Sequence, residues 1–190
     1  MREETKIKLR GYLQPLINLL VSLSISPNLL TFLSLLFGLS GLYFFAKGNF
    51  LLGGLSLIMI ALFDTLDGEL ARQKNLVSRR GAFFDSVIDR IVEFLIFLGF
   101  FLHYREAWEK LLIFFTLFSS FLVSYVRARA EGIGQSCRIG WFERPIRFLF
   151  LMIGTLLLPR FFFYFLLIIL IGSIITILQR IIYIWQKTTG

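Results

Sequence analysis

Long apolar segments alternate with short polar stretches along most of the chain. A helix of about 20 largely apolar residues can cross a bilayer. The pattern predicts six such spans, at residues 28–46, 51–72, 82–103, 109–130, 144–158 and 161–185. Turn-forming pairs separate several of them, among them Gly48-Asn49 and Pro159-Arg160. The predicted fold is therefore an all-α integral membrane protein with six transmembrane helices.

The N-terminal segment has a different pattern from the six spans. Between residues 3 and 20 charged and apolar positions alternate, with basic residues ahead of a leucine-rich end. This pattern is typical of an amphipathic helix lying at the membrane interface. We therefore divide the chain into a juxtamembrane helix, residues 1–24, and a six-span domain, residues 25–190.

The composition is that of a membrane protein, and the net charge indicates which kinds of partner it binds. Hydrophobic residues make up 57% of the chain and mean hydropathy is +0.78, which is unlike a soluble domain. The formal charge of +8 favours anionic lipid head groups or anionic substrates. No nucleic-acid-binding motif is visible, and we expect no nucleic-acid partner. The single cysteine, Cys137, excludes an intrachain disulfide and a cysteine-based metal site.

The basic residues predict how the chain is oriented in the membrane. One side of the membrane, with both termini and the loops after spans two and four, is assigned fifteen of the 20 Lys and Arg residues, including those at the adjoining span ends. The opposite side holds Lys47, Arg105, Lys110 and Arg160. Because basic loops stay on the cytoplasmic side, we expect both termini to be cytoplasmic.

All four aspartates of the chain lie close together in this otherwise apolar sequence. Asp64 and Asp67 are three residues apart at the end of span two, and Asp85 and Asp89 are four apart in span three. Either spacing places both members of a pair on one helix face. The short 73–80 loop makes the two spans antiparallel neighbours, so the two faces can meet. A carboxylate in a membrane is costly, and such residues usually mark a functional site.

The aspartates are suited to binding divalent cations. Like charges raise one another's pKa, so four neighbouring carboxylates need a cation if all are to ionise. With no His or Cys nearby, the oxygen donors favour Mg²⁺, Mn²⁺ or Ca²⁺ over zinc. Four carboxylates suffice for two ions, and paired metals suit displacement at phosphorus. Nearby, Gly68 and Ala71 would let a ligand approach the helix backbone, and Arg72 can hold a phosphate with two hydrogen bonds.

These residues form a motif that resembles a known family. The pattern is D-x2-D-G-x2-A-R-x8-G-x3-D-x3-D, from Asp64 to Asp89. It resembles the signature of the CDP-alcohol phosphotransferase family, as do Pro27-Asn28-x2-Thr31 and the six-span layout. The resemblance implies a homodimer in the plasma membrane of a prokaryote, with a polar cavity open to the cytoplasm. It also implies a reaction, in which a CDP-linked lipid donates its phosphatidyl group to a small alcohol and CMP is released.

The same resemblance implies a role for each motif residue. The four aspartates would bind two divalent metal ions, Mg²⁺ or Mn²⁺, and Asp89 would also deprotonate the attacking hydroxyl. Six residues would contact the nucleotide or its pyrophosphate. They are Asn28, Thr31, Gly68, Ala71, Arg72 and Ser78.

A group of arginines predicts the acceptor. Arg127 ends span four, and Arg144 and Arg147 begin span five, all in the same cytoplasmic layer as the aspartates. Several arginines aimed at one cavity suit a phosphorylated acceptor. The segments Y-V-R-A-R-A-E and E-R-P-x-x-R are similar to those of prokaryotic phosphatidylinositol-phosphate synthases, where the matching residues form an inositol-phosphate pocket. The chain departs from that pattern at Ile146, where an acidic residue is common.

Other functions compete with this interpretation. Glycerol 3-phosphate, as in a phosphatidylglycerophosphate synthase, is the main alternative acceptor, and serine is the third. From a different class, the aspartates could line a divalent-cation transporter, although Arg72 beside them opposes cation passage. In a purely structural protein the carboxylates would only pair with nearby arginines. Arg90 points about 100° away from Asp89 on the helix and is predicted to pair with Glu93 or Glu69.

Overall fold

Helices account for nearly all of the regular structure. The computed structural model describes residues 3–188, and the side chains of residues 13–188; no strand occurs among them. Its seven α-helices are α1 Glu3–Ser22, α2 Pro27–Ala46, α3 Phe50–Gln73, α4 Arg79–His103, α5 Ala107–Gly132, α6 Arg144–Met152 and α7 Phe162–Thr188. A π-helical turn, Ile153–Leu157, continues α6, and a 3₁₀ turn, Pro159–Phe161, leads into α7.

Local chemistry explains where several helices begin. Pro27 occupies the first turn of α2, directly after Ser26, whose hydroxyl accepts a hydrogen bond from the Leu29 amide. Ser78 caps α4 in the same way, since its hydroxyl accepts from the Gly81 amide at 3.0 Å. Gly48, between α2 and α3, has φ +75°, a conformation that favours glycine. These residues fix where α2 and α4 begin and where the chain turns between α2 and α3.

Four helical segments of the described chain are long and apolar enough to cross a membrane. They are Pro27–Ala46, Phe50–Gln73, Ala107–Gly132 and Pro159–Thr188, which identifies an integral membrane protein. Helix α4 carries several charges in its first half, and α6 with its π turn is short. The six spans and their cytoplasmic orientation therefore remain predictions.

Helix α1 forms where the sequence predicts a helix, and its second half packs against the rest of the protein. Ile17 is buried in a cluster with Leu30 of α2 and with Leu66 and Leu70 of α3. The side-chain amide Nε2 of Gln73 donates a hydrogen bond to Oδ1 of Asn18 at 3.0 Å. Helix α1 therefore lies against the end of α3 that carries the aspartates, while its place at the membrane interface remains a prediction.

The main core runs along the bundle, from Ile88 beside Asp89 to an aromatic cluster at the end away from the aspartates. There the rings of Phe45, Phe100 and Phe162 pack closely, with centroids 4.3 and 4.6 Å apart along the series. Helix α4 approaches α2 at Gly99, where an added Cβ would lie 2.9 Å from the Leu42 carbonyl oxygen. Small residues at such crossings are usual in membrane helices. Helix α2 packs against both α3 and α4, and this holds the two helices that carry the aspartates in one bundle.

Candidate active site

Three of the four aspartates come together at the junction of α3 and α4. One carboxylate oxygen from each of Asp64, Asp85 and Asp89 lies within 4.8 Å of the others. The short connection between the two helices makes them antiparallel, and the spacing along each helix turns these side chains toward one another. All three are partly buried. The arrangement concentrates negative charge at one end of the bundle.

Asp67 lies outside this group of three. Its side chain is buried, and the Thr31 hydroxyl of α2 donates to it at 2.7 Å. The sequence predicts that Asp67 is a metal ligand and that Thr31 contacts the nucleotide. In the structure the Thr31 hydroxyl orients the Asp67 carboxylate, and both roles stay predictions. Asn28, one turn earlier on α2, is exposed.

The donor set fits a hard divalent cation. Oxygen ligands of one ion lie within about 4–5 Å of one another, because each bond measures about 2.0–2.6 Å. The three grouped carboxylates meet that limit. A set of carboxylate oxygens without His or Cys suits Mg²⁺ or Mn²⁺.

Arg144 links the first turn of α6 to the carboxylates. Its Nη1 lies 2.8 Å from Oδ1 of Asp64 and 2.6 Å from Oδ2 of Asp89. The guanidinium also lies over the Phe148 ring, 4.9 Å from its centroid. A residue predicted to bind the acceptor is therefore in direct contact with two predicted metal ligands.

The predicted nucleotide-binding residues of α3 surround an open surface. An added Cβ on Gly68 would meet only the Arg72 guanidinium, whose nearest atom is 3.5 Å away. Packing within the described chain thus gives no reason for a glycine here. Arg72 is exposed and makes two hydrogen bonds to Glu69, of 2.8 and 3.3 Å. Ala71 lies on the same stretch of helix and is half-buried.

Ser78 has a structural role in the described chain. It is exposed and serves as the N-cap of α4, one turn before the helix reaches Asp85. A helix cap of this kind stabilises the first turn by satisfying a backbone N–H. The contact of Ser78 with the nucleotide stays a prediction.

A cavity of about 840 Å³ opens beside Asp89, between α4, α5, α6 and α7. The three arginines predicted to bind the acceptor, Arg127, Arg144 and Arg147, all contribute to its wall. Two further arginines line it, Arg90 and Arg180. A cavity walled by guanidinium groups and bounded on one side by carboxylates can accept an anion next to a metal site.

The three predicted arginines differ in their surroundings. Arg127 is 43% exposed and pairs at 3.0 Å with Glu131, which is exposed as well. Arg147 is only 1% exposed and pairs with Glu93 at 3.4 Å. An exposed ion pair of this kind contributes little to stability, whereas a buried one is costly to break. Arg127 is thus free to turn to a ligand, while Arg147 is held in place.

Sequence reasoning missed part of this cavity. Arg180 of α7 is buried and donates to the carbonyl oxygens of Ile139 and Val123. Its position inside predicted span six was the available signal, because a buried charge in an apolar helix usually has a function. The predicted pairing of Arg90 with Glu93 is confirmed, at 3.0 Å, and Arg90 also donates to Ser124.

Comparison with known proteins identifies related sequences. Residues 24–185 match the family model for CDP-alcohol phosphatidyltransferase. An uncharacterized protein of Aquifex aeolicus is 41% identical over 172 residues, covering 89% of this chain and 87% of its own. The archaetidylinositol phosphate synthase of Pyrococcus horikoshii is 38% identical over 157 residues, covering 82% of each chain. The phosphatidylinositol phosphate synthase of Streptomyces avermitilis is 31% identical over 196 residues, covering 93% of this chain and 79% of its own.

Solved structures show the same fold. The phosphatidylinositol phosphate synthase of Mycobacterium tuberculosis with CDP-DAG bound superposes with a TM-score of 0.82 at 28% identity, covering 90% of this chain and 92% of its own. The same synthase in complex with manganese and citrate also gives a TM-score of 0.82 at 28% identity, with 90% and 88% covered.

Proposed function

Because this chain belongs to the CDP-alcohol phosphatidyltransferase family, we propose that it transfers the phosphatidyl group of a CDP-linked lipid to inositol phosphate. Its membership confirms the resemblance drawn from the aspartate motif and makes the chain a transferase of phospholipid biosynthesis. The observation that carries the choice of acceptor is the cavity beside Asp89, whose wall includes Arg127, Arg144 and Arg147. Two relatives, named archaetidylinositol phosphate synthase in an archaeon and phosphatidylinositol phosphate synthase in a bacterium, support the same acceptor.

The proposed step is an in-line displacement at phosphorus. The acceptor hydroxyl attacks the lipid-linked phosphorus of the pyrophosphate and forms a new P–O bond. The bond from that phosphorus to the bridging oxygen breaks, and CMP leaves with this oxygen. Asp89 accepts the proton of the hydroxyl. This role suits its position, because Asp89 belongs to the group of three carboxylates and also lines the cavity.

The aspartates also provide for the proposed metals. Asp64, Asp67, Asp85 and Asp89 would hold two divalent ions, Mg²⁺ or Mn²⁺, with the Thr31 hydroxyl orienting Asp67. When bound, such ions neutralise charge on the pyrophosphate. The manganese complex of the Mycobacterium tuberculosis relative supports this choice of metal.

Separate residues serve the two substrates in this proposal. The nucleotide end of the donor is bound by Gly68, Ala71 and Arg72, together with Asn28, Thr31 and Ser78. Arg127, Arg144 and Arg147 bind the acceptor phosphate. The lipid tails, diacyl or archaeal diether, remain in the bilayer, because the site lies at the polar ends of apolar helices. The proposal includes the six-span, cytoplasm-facing arrangement in a prokaryotic plasma membrane, and a homodimer.

The test is CMP release by the purified protein with CDP-diacylglycerol and Mg²⁺ or Mn²⁺. Inositol phosphate is compared with glycerol 3-phosphate, inositol and serine. We expect release with inositol phosphate, and its loss in Arg144→Ala. Release with glycerol 3-phosphate alone would identify a phosphatidylglycerophosphate synthase, since one phosphate can satisfy the same arginines. No release with any acceptor would contradict the proposal and favour cation transport.

A further inference from the structure

Glu93 is a buried carboxylate one turn beyond Asp89 on α4. Its side chain is 1% exposed, and a buried charge is tolerated only where it is paired and hydrogen-bonded. Its Oε2 accepts from Nη1 of Arg90 at 3.0 Å. Its Oε1 accepts from the Ser120 hydroxyl of α5 and from Nη2 of Arg147 of α6, the latter at 3.4 Å. One carboxylate therefore joins side chains from three helices.

The arginines held by Glu93 line the cavity. Arg90 and Arg147 both contribute to its wall, on the side next to Asp89. Two guanidinium groups share the Glu93 carboxylate, and Nη2 of Arg90 also lies 3.8 Å from Oδ2 of Asp89. Positive charge in the wall of a cavity is suited to a phosphate.

Arginine side chains are flexible, and fixing them has an entropic cost. An arginine that is already held in its binding rotamer loses less freedom when a ligand binds. Arg147 is held twice, by Glu93 and by the Phe142 carbonyl oxygen at 2.9 Å. Arg127, by contrast, is exposed at the rim. The inner arginines are thus preorganised and the outer one is free to move.

We infer that Glu93 is a positioning residue for the acceptor phosphate: it holds the guanidinium groups of Arg90 and Arg147 in the cavity wall. This inference rests on the proposed function, in which the cavity binds a phosphorylated acceptor. The competing role for Glu93 is structural, as a link between α4, α5 and α6. The two roles predict different effects of a mutation. Loss of a structural link would weaken the binding of both substrates, whereas loss of a positioning residue would weaken only the binding of the acceptor.

The test uses two pairs of matched variants. Glu93→Gln keeps the shape of the side chain and removes its charge, with Glu106→Gln, at the far end of α5, as the control. Ser120→Ala removes one hydrogen bond to Glu93. Its control is Ser119→Ala, since the buried Ser119 hydroxyl bonds only the Thr116 carbonyl oxygen of its own helix among the hydrogen bonds described. Ser120→Ala leaves Glu93 and its two arginine partners in place, so it can test the inference even if Glu93→Gln does not fold.

The expected result is a change confined to the acceptor. In Glu93→Gln the KM for inositol phosphate rises about tenfold, the usual effect of losing a hydrogen bond to a charged group. In Ser120→Ala it rises about threefold. The KM for the CDP-linked lipid and kcat stay within about twofold in both, and Glu93→Asp, which retains the charge, recovers part of the acceptor affinity. Equal losses for both substrates together with a lower Tm would overturn the inference.

A binding measurement separates this inference from the proposed function. Inorganic phosphate is titrated against wild type and variants, and the rise in Tm is followed without any turnover. We expect phosphate to stabilise wild type and both controls, and to stabilise Glu93→Gln and Ser120→Ala less. If wild type turns over only glycerol 3-phosphate, inositol phosphate is ruled out as acceptor, while the weaker response to phosphate still supports the role of Glu93. Equal phosphate responses in all variants, or none in wild type, would refute it.

Discussion

Replacing Gly68 by alanine separates the packing of α3 from the binding of the nucleotide. Glycine inside a helix destabilises it by about 0.5–1 kcal/mol relative to alanine. An added Cβ would find only the end of the Arg72 side chain, at 3.5 Å, which is ordinary van der Waals contact. The structure therefore predicts that Gly68→Ala is as stable as wild type, or more stable by up to about 1 kcal/mol.

We expect the activity of the same variant to fall. If the donor nucleotide approaches the helix backbone at Gly68, a methyl group there displaces it from its reactive position. A displacement of about 1 Å can reduce turnover about 100-fold. The assay is kcat/KM for the CDP-linked lipid, measured by CMP release, together with Tm in the same detergent. The expected combination is an unchanged or higher Tm with at least a tenfold loss of kcat/KM.

Gly99→Ala is the matched control, on α4 at the far end of the bundle. Its added Cβ would lie 2.9 Å from both the Leu42 carbonyl oxygen and Cβ of Phe45. Overpacking of this kind costs about 1–3 kcal/mol, so Tm should fall while KM stays near normal. The reasoning is refuted if Gly68→Ala is fully active at unchanged stability. It is also refuted if the Tm of Gly68→Ala falls as much as that of Gly99→Ala.

Three further changes test other parts of the site. Asp64→Asn should weaken Mn²⁺ binding by at least about tenfold, because it removes one charged oxygen ligand; calorimetric titration with Mn²⁺ measures this. Thr31→Val should lower stability by about 1–3 kcal/mol, since it leaves the buried Asp67 without its hydroxyl donor; chemical denaturation in detergent measures this. Arg127→Ala should change stability by less than about 1 kcal/mol, since its ion pair is exposed, yet raise the KM for inositol phosphate severalfold.

Controls for two of these changes lie on α3 and α5. Thr65→Val alters a hydroxyl that bonds only the Ala61 carbonyl oxygen of its own helix among the hydrogen bonds described, so stability should hardly change. Arg129→Ala tests whether any basic residue at the end of α5 affects the acceptor. Unchanged Mn²⁺ binding in Asp64→Asn, or an Arg127→Ala variant with normal acceptor KM, would contradict the proposed roles of these residues.

Features that depend on local sequence were predictable. The helix boundaries follow from apolar length, proline and glycine positions and capping serines, and predicted span one, at 28–46, matches α2 at Pro27–Ala46. The aspartate motif was sufficient to indicate the family, because its eight fixed positions resemble the family's signature with the spacing intact. Its i, i+3 and i, i+4 positions also share a helix face whatever the tertiary structure. The need for a cation also followed, since neighbouring carboxylates repel one another.

Tertiary packing decided which of these groups meet. Arg144 contacts Asp64 across 80 positions of sequence, and Asp67 turns to Thr31 on another helix. The buried network of Glu93 and the place of Arg180 in the cavity wall likewise depend on how helices from distant parts of the chain pack. A helical period specifies the face of each side chain, but the depth and rotation of neighbouring helices come from the packing of small and aromatic residues between them. For this reason the sequence predicted which residues carry the chemistry of the site, while the fold decided which of its charged groups contact one another.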